Sequence, residues 1–351
     1  MGFQAGIGQK WPEIPGHSGR ASNYGGPAPC IPPPKPNLWT KSTSEIILTY
    51  LLFLVGLVAL FAGGELLVRG ASSIARHYRL SPLLIGLTIV GFGTSAPELM
   101  VSVQAAMDGQ PAIAIGNVLG SNVANILLIL GVSAAIAPLL IPVKKIWRDL
   151  GFMLLATTAI WLMLLDGIVT RPEGVMLMLG LVIFLAVAFV FGKAEEDSSA
   201  HPPMKMPLAI GLTLGGLIAL VIGAQFLVDS ASTIARSFGV SEAMIGLTVV
   251  AVGTSLPELA TSVVAALRKQ TEIAVGNVVG SNVFNIFSIL GITSLISPIP
   301  ADPRFASIDM WWVAATAVGL TIIALVLRGL PRIAGFGLLA AYAAYVGLML
   351  A

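Results

Sequence analysis

The chain has 351 residues, 56% of them hydrophobic and only 10% charged, with a mean hydropathy of +0.92. Soluble domains carry about 25% charged residues, so composition excludes a water-soluble enzyme and points to a polytopic membrane protein. A net charge of +2 is too balanced to suggest a nucleic-acid partner; a lone cysteine, Cys30, excludes an intrachain disulfide or a cysteine metal cluster, and His17, His77 and His201 are too scattered for a zinc site.

Residues 1–43 are rich in proline and glycine, ending near GGPAPCIPPPKP, and contain no apolar signal-peptide core. Such a segment cannot bury enough apolar area to order itself. It reads as a disordered tail without a role, or as a start placed too far upstream.

From residue 45 the chain is one apolar run after another. A span needs about 20 apolar residues, and ten candidates follow: 45–67, 82–107, 112–137, 149–166, 173–192, 207–229, 242–267, 272–297, 309–328 and 332–350. The second, third, seventh and eighth are long and interrupted by Gly, Pro and polar residues. With the N-terminus outside, loops after odd-numbered spans hold twelve basic residues, among them Arg76, Lys144, Lys145, Arg148 and Arg268; the opposite loops hold Arg171, Arg236 and Arg304. The positive-inside rule therefore favours ten spans with both termini outside, in the plasma (cell inner) membrane.

The chain also repeats itself at one constant offset of 160 residues. GLTIVGFGTSAPEL at 86–99 aligns with GLTVVAVGTSLPEL at 246–259, and GNVLGSNVANILLILG at 116–131 with GNVVGSNVFNIFSILG at 276–291; 22 of these 30 positions are identical. The match extends to LVRGASSIAR at 67–76 and LVDSASTIAR at 227–236. A duplication kept only for folding would conserve apolar character, whereas the strongest matches here are polar. Each half holds five spans, an odd number, so the second copy enters the membrane from the opposite side. The expected fold is an all-α membrane protein of ten transmembrane helices in two inverted-topology five-helix repeats, residues 44–192 and 207–351, with helices 2, 3, 7 and 8 broken and a cytoplasmic linker at 193–206. Secondary transporters with inverted repeats bind substrate near the midplane between the halves.

Glu98 and Glu258 lie inside apolar spans, where a charge costs at least about 2.5–3.5 kcal/mol. A bound cation offsets that cost; a protonated, hydrogen-bonded Glu would also do so, but would leave the surrounding polar groups unexplained. Thr94, Ser95 and Glu98 share a helix face by spacing, as do Thr254, Ser255 and Glu258. Pro97 and Pro257 lack an N–H and so leave the Gly93 and Gly253 carbonyls without helical partners. Asn117, Ser121 and Asn125 form an i, i+4, i+8 stripe, repeated by Asn277, Ser281 and Asn285. Gly116 with Gly120, and Gly276 with Gly280, read as close helix packing; Asn122 and Asn282 lie on a neighbouring face, with no assigned role. Two carboxylates among neutral oxygens suit Ca²⁺, and Na⁺ accepts similar ligands.

GTSAPEL with GNVLGSNVAN, and GTSLPEL with GNVVGSNVFN, resemble the two alpha-repeats of the sodium/calcium exchanger family, within the cation/Ca²⁺ antiporter superfamily. The resemblance covers residues 45–351. It implies antiport of Ca²⁺ against Na⁺ by alternating access, with no cofactor and a monomer sufficient for transport. The implied cation ligands are Thr94, Ser95, Glu98, Ser121 and Asn125 with Thr254, Ser255, Glu258, Ser281 and Asn285, and the backbone carbonyls of Gly91 and Ala251 join the sodium sites. Many members carry Asp at the position of Asn125 or Asn285, where this chain has Asn twice. Glu65 and Gln225, at equivalent span ends, read as structural or gating residues. A Ca²⁺/H⁺ antiporter would use the same Glu pair. A channel fits a closed, saturable charge pair less well, and an intramembrane protease would need a His or Asp near Ser95 or Ser255.

Overall fold

A computed structural model of the chain describes residues 43–141, 143–192, 203–240 and 251–350. The expected tail, except its last residue, most of the expected linker, and the first part of the expected seventh span (242–250) lie outside these residues.

The architecture is almost wholly helical. In chain order the helices are α1 (Thr43–His77), α2 (Pro82–Thr94), α3 (Ala96–Met107), α4 (Pro111–Ile136), α5 (Val143–Leu164), α6 (Arg171–Phe191), α7 (Met206–Ser237), α8 (Ala251–Thr254), α9 (Leu256–Leu267), α10 (Thr271–Ile296), α11 (Phe305–Leu327) and α12 (Arg332–Leu350). Among the described residues eight helices are long and apolar enough to cross a membrane, nine when the bent pair α2–α3 counts as one span; α9 is a shorter apolar helix. The interruptions expected in the third and eighth spans take the form of π-helical turns, Asn125–Ile129 in α4 and Asn285–Leu290 in α10. Such turns frequently mark functional sites.

Helices α1 and α7 run well past the expected spans 45–67 and 207–229. At 1.5 Å per residue the 35 residues of α1 extend about 52 Å, beyond a hydrocarbon core of about 30 Å. The polar stretch after Leu67 remains helical because protein, not water, surrounds it: Ala71, Ser73 and Ala75 are buried, Ser72 Oγ donates to Val68 O at 2.6 Å, and Ser73 Oγ accepts from Met204 N at 2.8 Å. The two long helices pack antiparallel along a seam of small residues. Methyl groups added at Gly56, Gly63 and Gly70 would stand 2.8 Å from Gly223 O, 2.8 Å from Leu220 N and 2.5 Å from Thr213 Oγ1. Where lipid replaces water, such backbone contact is a main source of helix association.

Helices α4 and α10 form the centre and are mostly buried, whereas α12 is almost wholly exposed on the outside. Two short antiparallel ribbons tie the halves together: β1 (Leu139–Leu140) with β4 (Gly329–Leu330), and β2 (Ile168–Val169) with β3 (Ile299–Pro300). Since β3 is β1 advanced by 160 residues, the second ribbon is the first with the halves exchanged. That is the signature of a pseudo-two-fold relation between inverted copies. The loop contacts agree. Lys145 pairs with Glu272 at 3.1 Å and Ser72 Oγ donates to Gln270 Oε1 at 2.9 Å, on the face carrying β1–β4, while Arg171 reaches the Leu295 and Ile296 carbonyls on the other. Glu65 pairs with both Arg69 and Arg268, binding α1 to the end of α9.

Candidate cation site

The second span breaks at Ser95 (φ −80°, ψ 5°), where α2 and α3 meet at a bend of 43°. Pro97 stands in the first turn of α3, and Glu98 follows it there, at a helix N-terminus that favours negative charge. The other copy repeats the device at Ser255 (φ −88°, ψ 7°), with Pro257 and Glu258 opening α9. Both carboxylates are 1% exposed, and Thr94, Ser95, Asn125, Ser255, Ser281 and Asn285 are buried around them.

Sequence spacing places each serine with the glutamate of its own repeat. The structure instead crosses them. Ser95 Oγ donates to Glu258 Oε1 at 3.1 Å and Ser255 Oγ donates to Glu98 Oε1 at 3.3 Å. The threonines follow: Thr254 stands beside Glu98 and Thr94 beside Glu258. Thr94 Oγ1 also lies 3.2 Å from Asn277 Oδ1. The reciprocity fixes the two breaks face to face across the pseudo-two-fold axis.

The asparagine stripe divides in two. Asn117 Nδ2 donates to the Glu98 carbonyl at 3.1 Å and to Ser102 Oγ at 2.9 Å; Asn277 Nδ2 does the same with the Glu258 carbonyl at 3.3 Å and Ser262 Oγ at 2.9 Å. These two residues brace the helix that carries each carboxylate. Asn125 and Asn285 open the π-helical turns, and their Nδ2 atoms are held by Asn282 Oδ1 and Asn122 Oδ1, each at 3.0 Å. The contribution of Asn122 and Asn282 was not legible from their own repeat; only their recurrence at the constant offset marked them out.

Ser281 Oγ lies 3.4 Å from the Gly91 carbonyl, which brings that carbonyl to the site. Ser121 is buried, and Ala251 opens α8. The close packing expected of Gly276 and Gly280 holds: added methyl groups would stand 2.7 Å from Leu83 O and 2.3 Å from Leu87 O. For Gly116 and Gly120 the equivalent partner segment falls in 243–250, outside the described residues. Glu65 belongs to the ion-paired cluster on one face and is not part of this site.

Four buried oxygens at this locus lack a hydrogen-bond partner: Glu98 Oε2, Glu258 Oε2, Asn125 Oδ1 and Asn285 Oδ1. All four are acceptors, two of them carboxylate. A buried acceptor without a donor costs about 1–3 kcal/mol, more when charged. Among the described residues no group of three or more His, Cys, Asp or Glu is gathered anywhere, so the donor set is two carboxylates among neutral oxygens. Such a set suits a hard cation and not a thiophilic metal.

The sequence profile described as sodium/calcium exchanger protein matches residues 48–190 and 208–351, the two halves separately. The chain belongs to the sodium/calcium exchanger family. It is 39% identical to a protein named putative antiporter CaxA from Alkalimonas amylolytica, over 86% of this chain and 98% of that one. It is 31% identical to sodium/calcium exchanger MaX1 from Methanosarcina acetivorans, over 80% of this chain and 91% of that one. A solved structure of the sodium-calcium exchanger NCX_Mj superposes with a TM-score of 0.77 at 34% identity, covering 86% of this chain and 99% of that one. This is a family of multi-pass membrane exchangers and not of enzymes.

Proposed function

We propose that this exchanger moves Ca²⁺ across the cell membrane against Na⁺, by alternating access at the site between the crossed helix breaks. The four unpartnered buried oxygens carry this reading, because a bound cation satisfies all four acceptors at once and offsets the two carboxylate charges. The ligand set is Thr94, Ser95, Glu98, Ser121 and Asn125 with Thr254, Ser255, Glu258, Ser281 and Asn285, joined by the Gly91 and Ala251 carbonyls for Na⁺. Two carboxylates balance one Ca²⁺ or two monovalent ions. Neutralisation is required in every state yet can be met by either ion, and exchange follows from that competition. Inverted repeats supply the second element, since exchanging the conformations of the two halves opens the same site to the opposite face.

The sodium assignment draws support from the names of MaX1 and NCX_Mj, both sodium/calcium exchangers. The deciding experiment is calcium-45 uptake into inverted vesicles with sodium and pH gradients imposed independently. Uptake that follows the sodium gradient at clamped pH is the expected result; uptake that follows only the proton gradient replaces Na⁺ by H⁺ at the same two carboxylates. Currents at channel rates in a planar bilayer would overturn the carrier reading.

The functional unit is the pair of repeats, 44–192 and 207–351, joined by the linker 193–206, with both termini outside and a monomer sufficient for transport. Deleting residues 1–43 leaves uptake rates per transporter unchanged, as measured in proteoliposomes; a large loss would assign the tail a role.

A further inference from the structure

Asn122, Asn125, Asn282 and Asn285 lie within one buried cluster, each at most 2% exposed. An amide side chain has one donating end and one accepting end, so its orientation must follow from its neighbours. Here two neighbours are backbone carbonyls, which can only accept. Asn122 Nδ2 donates to the Asn282 carbonyl at 3.3 Å, and Asn282 Nδ2 donates to the Asn122 carbonyl at 3.4 Å. Those contacts turn the Asn122 and Asn282 side-chain oxygens away from each other, toward Asn285 and Asn125. Each of these is then obliged to present nitrogen, at 3.0 Å in both cases. What remains is one oxygen on each outer amide, and those are Asn125 Oδ1 and Asn285 Oδ1, buried and without a partner. The orientation therefore propagates in two steps from a pair of main-chain carbonyls to the two oxygens left for an ion.

We infer that Asn122 and Asn282 are positioning residues, which lock the amides of Asn285 and Asn125 with their oxygens toward the transported cation and exclude a carboxylate anion from positions 125 and 285. The inference rests on the proposed cation site and adds what sets its charge. An ionised Asp at 125 would place an acceptor against Asn282 Oδ1 where a donor now lies at 3.0 Å. Flipping the Asn282 amide gives no escape, because its oxygen would then face the Asn122 carbonyl. The same argument holds at 285 through Asn122. The network thus keeps the site at two formal negative charges, with neutral oxygens completing the shell.

A double-substitution cycle tests this with calcium-45 uptake, driven by whichever gradient the native protein uses, in proteoliposomes. Asn125→Ala, Asn282→Ala and the pair together are compared for the calcium concentration giving half-maximal uptake. Loss of a residue that orients a metal ligand weakens metal affinity about 10- to 100-fold, and a shift of that size is expected for Asn282→Ala. The pair is expected to match Asn125→Ala alone, since Asn282 acts through Asn125. A merely structural residue would reduce the amount of active protein without moving the half-saturating concentration. No shift with Asn282→Ala, or a shift that adds in full to that of Asn125→Ala, overturns the inference. Should Asn282→Ala fail to fold, the symmetry-related cycle of Asn122→Ala and Asn285→Ala asks the same question, with the same two outcomes. If Glu98→Gln retains saturable uptake, the cation site itself is wrong; if that variant is dead and the cycle is additive, only the positioning role is.

Discussion

Glu98→Gln and Glu258→Gln are each expected to abolish calcium uptake while leaving the fold intact. Glutamine has the shape of glutamate, and its carbonyl oxygen can still accept the hydroxyl that now donates to Glu98 Oε1 from Ser255, or to Glu258 Oε1 from Ser95. The change falls on the other oxygen, Oε2, which has no protein partner. There an N–H donor replaces an anionic acceptor, and one of two negative charges is lost. At about 4 Å and an effective dielectric of about 20, a pair of unit charges is worth roughly 4 kcal/mol, so affinity for a divalent ion falls by at least about a thousandfold. The melting temperature in detergent is expected to stay level or rise, because a buried charge is removed. Undiminished calcium-45 uptake by either variant would remove that carboxylate from the site.

Gly280→Ala is expected to cost both stability and transport. Helices α2 and α10 cross with their backbones in contact beside the site. A methyl group at Gly280 would lie 2.3 Å from Leu87 O, and one at Gly86 would lie 2.8 Å from Ile273 O. The obstructing atoms are main chain, so no side-chain rotation relieves them. Overpacking of this kind costs about 1–3 kcal/mol, occasionally more, and any shift of α2 carries Gly91 and Thr94 with it. Gly319→Ala is the control: an added methyl there meets nothing within 4 Å, and alanine is the better helix former. The measurements are thermal unfolding in detergent and uptake in proteoliposomes. A Gly280→Ala protein as stable and as active as the native one would show that the crossing is loose.

How much of this was legible in the chain itself depends on the range of the interaction concerned. A bilayer accepts apolar side chains freely and charges hardly at all, so span positions, the two buried glutamates and the proline breaks beside them could be read locally. The repeat was readable because polar identity recurs at one fixed offset, and five spans per copy implied inversion. Close packing at Gly276 and Gly280 followed from the spacing of residues too small to hold backbones apart.

Other features were settled only when the chain came together. Helix α1 outruns its apolar run because neighbours, not composition, shield Ser72 and Ser73. Asn117 and Asn277 stood in the polar stripe with no role of their own, and they brace the helices carrying the carboxylates. Ser95 looked like a companion of Glu98 but donates to Glu258, 163 residues away in sequence. Hydropathy and helical spacing are properties of one segment and can be written in sequence alone. Which donor meets which acceptor across a pseudo-two-fold axis is fixed only when two distant segments share the same few ångströms, and there the hydrogen-bond directions of neighbouring groups decide what each oxygen faces.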